Sequence, residues 1–221
     1  MKKFTDIRLA CVEDGLDNTG FRKIAAFIKS INPNTKVAYV PTANHRNLVG
    51  VLLEKAGGNL DKNDIHKVAK FMAEGEIAAF SSMTQSSKTV YKIISEIRKI
   101  NSQTYIVWGG IHPIIQPEDA IKHADAVCTG EGEFAFKTFL EHFEKGEDFT
   151  KTPSFWFRKD EKIIKNRNLP LMSPRQMDAL PPLSYDDGEV VYRRGKGFVK
   201  ASADDYLDYS GLQYGTEWGV G

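Results

Sequence analysis

Residues 104–136 read TYIVWGGIHPIIQPEDAIKHADAVCTGEGEFAF. The β-branched and aromatic run at 104–108 predicts a buried strand. Gly109 and Gly110 follow it at once, then Ile111, His112 and Pro113. Residues 117–123 open on a proline, which suits the first turn of a short helix. Residues 126–129 form the next apolar run, and Gly130, Glu131, Gly132 and Glu133 turn it into a helix over 134–145. The stretch is two strand–loop–helix units in succession. Glycine at a strand end leaves no Cβ in the way, so each cluster is either a tight turn or a place of close ligand approach. Ligands of an open parallel sheet sit outside the carboxyl ends of its strands, which puts both clusters on one edge.

The same alternation runs back towards the N-terminus. Strands are expected at 6–12, 35–41 and 77–81. A helix over 20–31 has Phe21, Ile24, Ala25 and Ile28 on one face, with Asn18 or Thr19 as its cap. Residues 48–56 suit a short helix, and a longer one starts at Asn63 or Asp64 and runs to Glu74. A helix over 88–100 turns Val90, Ile93, Ile94 and Ile97 inward. The expected fold class is α/β: a five-stranded parallel sheet with helices on both faces, in the flavodoxin-like (Rossmann-like) order 2-1-3-4-5. Its switch point falls between strands one and three, so the loops 13–20 (EDGLDNTG) and 82–87 (SMTQSS) flank a cleft whose rim the glycine loops continue. After Gly146 the pattern changes. Residues 154–158 and 162–166 predict a β-hairpin. A proline-rich connector follows over 169–185, expected to be extended and packed on the domain surface. Residues 186–221 show little periodicity. The expected division is 1–150 as the α/β domain, 151–185 as hairpin and connector, and 186–221 as a linker.

Composition narrows the function. A charged fraction of 27% and a net charge of +1 give no basic field for nucleic acid. No apolar run suffices to span a bilayer, and the N-terminus turns polar too early for a signal peptide. Cys11 and Cys128 fall in expected strands and read as core thiols of a cytoplasmic protein. No Cys/His cluster has metal-ligand spacing. Strand one is not followed by Gly-x-Gly-x-x-Gly, and there is no Walker-type lysine motif. Glu131 and Glu133 occupy a helix entrance that would otherwise attract phosphate, which disfavours a mononucleotide there. Ser81, Ser82 and Thr84 offer small hydroxyl groups suited to a large, mostly uncharged ligand, and equally to helix capping.

The run WGGIHPIIQPEDAI…ADAVCTGEGEFAF resembles the cobalamin-binding domain that precedes the catalytic barrel in many radical SAM enzymes, and the likeness extends loosely over residues 6–185. The resemblance implies cobalamin (vitamin B12) as the cofactor, held base-off at the carboxyl ends of the strands. The implied contacts are Asp14, Gly15 and Leu16; Ser81, Ser82, Met83 and Thr84; Gly109, Gly110, Ile111, His112 and Pro113; and Gly130, Glu131, Gly132 and Glu133. Methyltransferase- and mutase-type domains carry Asp-x-His-x-x-Gly after strand one, whose histidine binds cobalt. This chain has EDGLDNTG there, so no histidine is expected on cobalt, and neither His45 nor His112 is expected to replace it. The Cys-x-x-x-Cys-x-x-Cys triad of a radical SAM barrel is missing. The final TEWGVG resembles the strand that leads to its first cysteine. S-adenosylmethionine and a four-iron four-sulfur cluster are thus implied only for a barrel beyond this chain, which is expected to be a non-catalytic fragment partnered by that barrel. Two other readings stand beside it. In a receiver domain Glu13 and Asp14 would form the acidic pair, but Phe80-Ser81-Ser82 and Thr129-Gly130-Glu131 lack the required aspartate and lysine. A non-catalytic interaction module would use the Trp- and Tyr-bearing C-terminal part.

Overall fold

Runs of Val, Ile and Ala with no charged interruption favour strands buried on both faces, and these pair in parallel. In a computed structural model that describes residues 4–13, 15–42, 60–183, 185 and 188–205, β1 (Ile7–Glu13) lies between β2 (Thr35–Pro41) and β3 (Ile77–Ser82). β4 (Tyr105–Gly109) and β5 (Ala126–Cys128) continue from β3. The central order 2-1-3-4-5 is the expected one, all parallel. Asp14, His45, the helix expected at 48–56 and the final TEWGVG lie outside the described residues.

Alternation along the strands divides the core into two layers. Ala10, Val12, Phe80 and Trp108 face α2 (Lys62–Ala73) and α3 (Ser87–Ile100), which supply Val68, Met72, Ile93 and Ile97. Leu9, Cys11, Tyr39 and Val107 face α1 (Thr19–Ile31) and α6 (Glu133–Lys145), which supply Phe21, Ile28, Phe136 and Phe139. The helix starts are fixed chemically. Asn18 Oδ1 accepts from Phe21 N at 2.6 Å, and Asp61 Oδ1 from Asp64 N at 2.8 Å, each satisfying an amide with no partner inside the helix. The short helix expected at 117–123 is α5 (Pro117–Ala120), and a further short helix, α4 (Ile111–Ile115), precedes it. Pro117 has no amide to carry α4 onward, so a new helix starts there.

The sheet does not stop at five strands. β6 (Phe155–Lys159) and β7 (Lys162–Lys165) form the expected hairpin and add antiparallel to β5. β8 (Val190–Arg193) then pairs in parallel with β2, and β9 (Gly197–Lys200) pairs antiparallel with β8, which makes nine strands among the described residues. Residues 190–193 and 197–200, in a stretch of little periodicity, are therefore strands. The connector carries α7 (Pro174–Asp178), whose Ser173 and Gln176 close a capping box, so it is neither wholly extended nor packed down: every residue of α7 is exposed.

β8 is docked by buried polar groups as well as by Val191. Tyr192 donates from its hydroxyl to Asp64 Oδ1 at 2.6 Å. Arg22 of α1, 1% exposed, donates from Nη1 to Glu189 Oε2 at 3.1 Å and from Nε and Nη2 to Leu16 O at 3.2 Å each. Its guanidinium lies 4.7 Å from the centre of the Tyr39 ring. A charge this deep persists only with its partner. Replacing Glu189 by alanine is expected to destabilise the protein by about 3 kcal/mol, because it takes a carboxylate away from a buried cation. Urea unfolding of the variant against the parent measures it, and an unchanged midpoint would contradict the assigned role.

Candidate functional site

The strand ends and the loops that follow them enclose a cleft. It lies under the carboxyl ends of β1, β3, β4 and β5, on the α1–α6 side of the sheet, with a volume of about 290 Å³. Leu9, Phe21, Ile24, Ile28, Val107 and Phe136 make its inner wall. Ser81, Gly109, Gly110, Ile111 and Ile114 form one lip, and Gly130, Glu131, Gly132 and Glu133 the other. Glu13 and Asn18 stand at the β1 end, where Asn18 Nδ2 donates to Glu13 Oε2 at 2.6 Å. The wall is apolar and the polar groups sit at the mouth, the usual plan of a small-molecule site.

The glycines have protein neighbours. Gly110 sits at φ +91°, and a Cβ there would stand 2.7 Å from Ser82 N and 2.8 Å from Ser82 O. No other residue fits that position without moving the end of β3. A Cβ on Gly130 would meet Ser154 Oγ at 3.1 Å and Asn168 Cγ at 3.3 Å, and one on Gly132 would meet Ile24 Cδ1 at 3.2 Å. These glycines let the loops close on β3, on the connector and on α1, and so shape the cleft from behind.

The two glutamates of the second cluster differ. Glu131 Oε2 accepts from Met172 N at 2.6 Å, a charge-assisted bond to the connector. Glu133, 9% exposed in the first turn of α6, has its carboxyl pushed above the usual range by burial, with Glu131 adding to the effect. Burial likewise pushes the Cys128 thiol up to about 11, and that of Cys11 well above its ordinary value, so both are unreactive thiols at neutral pH.

The remaining expected contacts fall elsewhere. Leu16 is fully buried in the α1–α6 layer, and Gly15 is not in the cleft wall. Ser82 is buried on the opposite face, where Trp108 Nε1 donates to its Oγ at 3.0 Å. Met83 and Thr84 are exposed at the outer side of the β3 loop. His112 and Pro113 turn inward: α4 puts Ile111 and Ile114 on the cleft, and His112 lies beside Trp108 with ring centres 5.0 Å apart. Tyr91 donates to Asp119, so its oxygen accepts from His112 Nε2–H at 3.0 Å, and His123 stacks on Tyr91 at 4.2 Å. That fixes the His112 tautomer and leaves Nδ1 buried with no hydrogen-bond partner among the described residues. Sequence reading missed Glu13, Asn18, Phe21, Ile24 and Ile114. The periodicity of α1 was a signal for Phe21 and Ile24, since the face of a helix that packs on strand ends also walls the cleft above them.

Residues 47–140 match the family model described as the B12 binding domain. Among known proteins, an uncharacterized methyltransferase, PH0819, from Pyrococcus horikoshii is 24% identical across 88% of this chain and 44% of its own length. The solved structure of the radical S-adenosylmethionine methyltransferase TsrM from Kitasatospora setae aligns with a TM-score of 0.54 at 12% identity, over 74% of this chain and 30% of that one. The cobalamin-dependent S-adenosylmethionine radical enzyme OxsB, with aqua-cobalamin and S-adenosylmethionine bound, aligns with a TM-score of 0.51 at 12% identity, over 76% of this chain and 23% of that one. The two structures share the fold. The chain spans less than half the length of each of these proteins.

The His112 site makes a pH dependence. Burial holds the imidazoles of His112 and His123 below their ordinary value, the nearby Asp119 opposing the shift in both. In the unfolded chain both titrate near about 6.5. Stability is therefore complete above that pH and declines as the pH falls through it, because the unfolded state takes up protons first. Gln at 112 keeps a donor for Tyr91 and cannot titrate. Urea midpoints measured from pH 7.5 to 5 should fall less steeply in His112→Gln than in the parent; equal slopes would contradict the account.

Proposed function

We propose that the B12-binding domain carried by this chain holds cobalamin base-off, with the nucleotide tail in the cleft and the corrin on the rim above it. The observation that carries this reading is the cleft itself. Sites that enclose a whole small ligand run from about 300 to 1,000 Å³. At about 290 Å³ this cleft takes a part of cobalamin and leaves the corrin outside. Its apolar depth, between Phe21, Ile24 and Phe136, suits a flat aromatic base, and Ser81 and Glu133 at the mouth suit amide and hydroxyl groups. Cobalamin, when bound, supplies a cobalt centre able to carry an alkyl group; this chain's residues bind and orient it.

No histidine is proposed as a ligand to cobalt. His112 Nε2 is committed to Tyr91 on the far side of β4 from the cleft. Within the same proposal, residues 1–150 are the cofactor unit, and residues beyond 150 lead towards a radical SAM barrel in a longer enzyme. S-adenosylmethionine and an iron–sulfur cluster would belong to that barrel, and the substrate would be its own. The sequence holds two cysteines, too few for a cluster triad. No described helix is long and apolar enough to cross a membrane, and a cytoplasmic location is proposed from the two unpaired buried thiols.

Incubation with hydroxocobalamin followed by gel filtration tests the proposal. The protein peak should carry the visible spectrum of base-off cobalamin, and paramagnetic resonance of the cobalt(II) form should show no axial-nitrogen splitting. Bulk at Gly110 would displace β3, so Gly110→Val confounds binding with folding. Ile111, on the lip and 42% exposed, is the better probe. Ile111→Asp should keep the fold and weaken cobalamin binding at least about tenfold, since it sets a charge against apolar ligand surface. Unaltered affinity would remove this cleft from the proposal.

A further inference from the structure

We infer that Glu131 is a positioning residue: its carboxylate seats the connector against the cleft, so that the path of residues 168–178 is set from the ligand site. Glu131 stands on the cleft lip, yet its Oε2 accepts from Met172 N at 2.6 Å. The bond does not act alone. Thr129 Oγ1 donates to Asn168 Oδ1 at 2.7 Å, and Asn168 Nδ2 donates back to Thr129 O at 2.9 Å. Leu169 N donates to Ser154 Oγ at 2.8 Å, and Gly130 is small because Ser154 and Asn168 stand against it. Three residues of the turn after β5 and of the strand start beside it, Thr129, Glu131 and Ser154, thus hold Asn168, Leu169 and Met172.

Past Met172 the grip ends. All of α7 is exposed, and the chain is buried again only at Leu180. The arch between Met172 and Leu180 is held at its two feet, and α7 keeps its shape through its own capping box. The direction in which that arch leaves the domain depends on the foot at Met172, hence on Glu131. A charge-assisted bond strengthens when water is excluded from around it. Anything that fills the cleft removes water from one side of the Glu131 carboxylate, so occupancy tightens the foot.

The second half of this inference rests on the cobalamin reading; the first half does not, and the test separates them. Amide exchange at Met172 is followed by NMR or by peptide-resolved mass spectrometry. Without any ligand, Glu131→Ala should speed exchange at Met172 at least about tenfold, the loss of one hydrogen bond to a charged group, while β1 and β3 stay protected. Glu131→Gln, which keeps an acceptor oxygen, should recover most of the protection. Unchanged exchange in Glu131→Ala overturns the positioning role. With hydroxocobalamin at saturation, exchange at Met172 should slow several-fold in the parent and not in Glu131→Ala. Faster exchange in the parent would mean that the ligand takes the carboxylate for itself, which overturns the inference in favour of a direct contact. If no cobalamin co-elutes with the protein, the cobalamin reading fails and the ligand-free result for Glu131 stands by itself.

Discussion

The contact of Gly110 with the end of β3 governs the working edge of this molecule. At φ +91° the backbone folds back within reach of Ser82 N and O, and α4 starts from there rather than continuing the line of β4. Its next residues are shared between two environments. Ile111 and Ile114 go to the cleft, and His112 goes to the layer with Trp108 and Tyr91. A single Cβ at 110 would push the loop away from β3, and the lip and the His112 site would move together. The cleft and its rear support are thus two sides of one turn.

Much of the architecture was legible from alternation alone. The strand runs carry apolar residues on both faces, which predicts a parallel sheet covered twice, and the cap at Asn18 follows from side-chain chemistry. Partner choice is a different matter. Val190 and Val191 make a short run between a polar stretch and the Arg193–Gly197 turn, and nothing in their spacing says that β2 has a free edge waiting for them. Loop residues fail for a related reason. Along a strand, one position decides the face; in a loop or in a five-residue helix such as α4, φ and ψ decide it, so sequence alone does not say that Leu16 and His112 are buried. The glycine clusters read from the sequence as tight turns or places of ligand approach have Ser82, Asn168 and Ile24 close against them, and only coordinates name those neighbours.

Charge around the cleft follows from burial more than from residue type. Two carboxylates two residues apart share one turn, yet Glu131 accepts from the backbone amide of Met172 while burial holds the Glu133 carboxyl above its usual range. The two glutamates of GEGE therefore sit in different surroundings at the entrance of α6.

The return of β8 to β2 bears on how the chain acquires its structure during synthesis. Ala38 pairs with Val190, and Asp64 and Arg22 receive Tyr192 and Glu189. Both acceptor sites are made early and completed late. While the ribosome is still adding the later residues, β1 to β5 can already collapse with their helices, because their contacts are closer in sequence. During that interval β2 is an open sheet edge, and Arg22 has not yet met Glu189. The molecule thus passes through a period in which an unpaired parallel edge lies bare. The strand that closes it is drawn in by the same two buried polar groups that have been kept waiting.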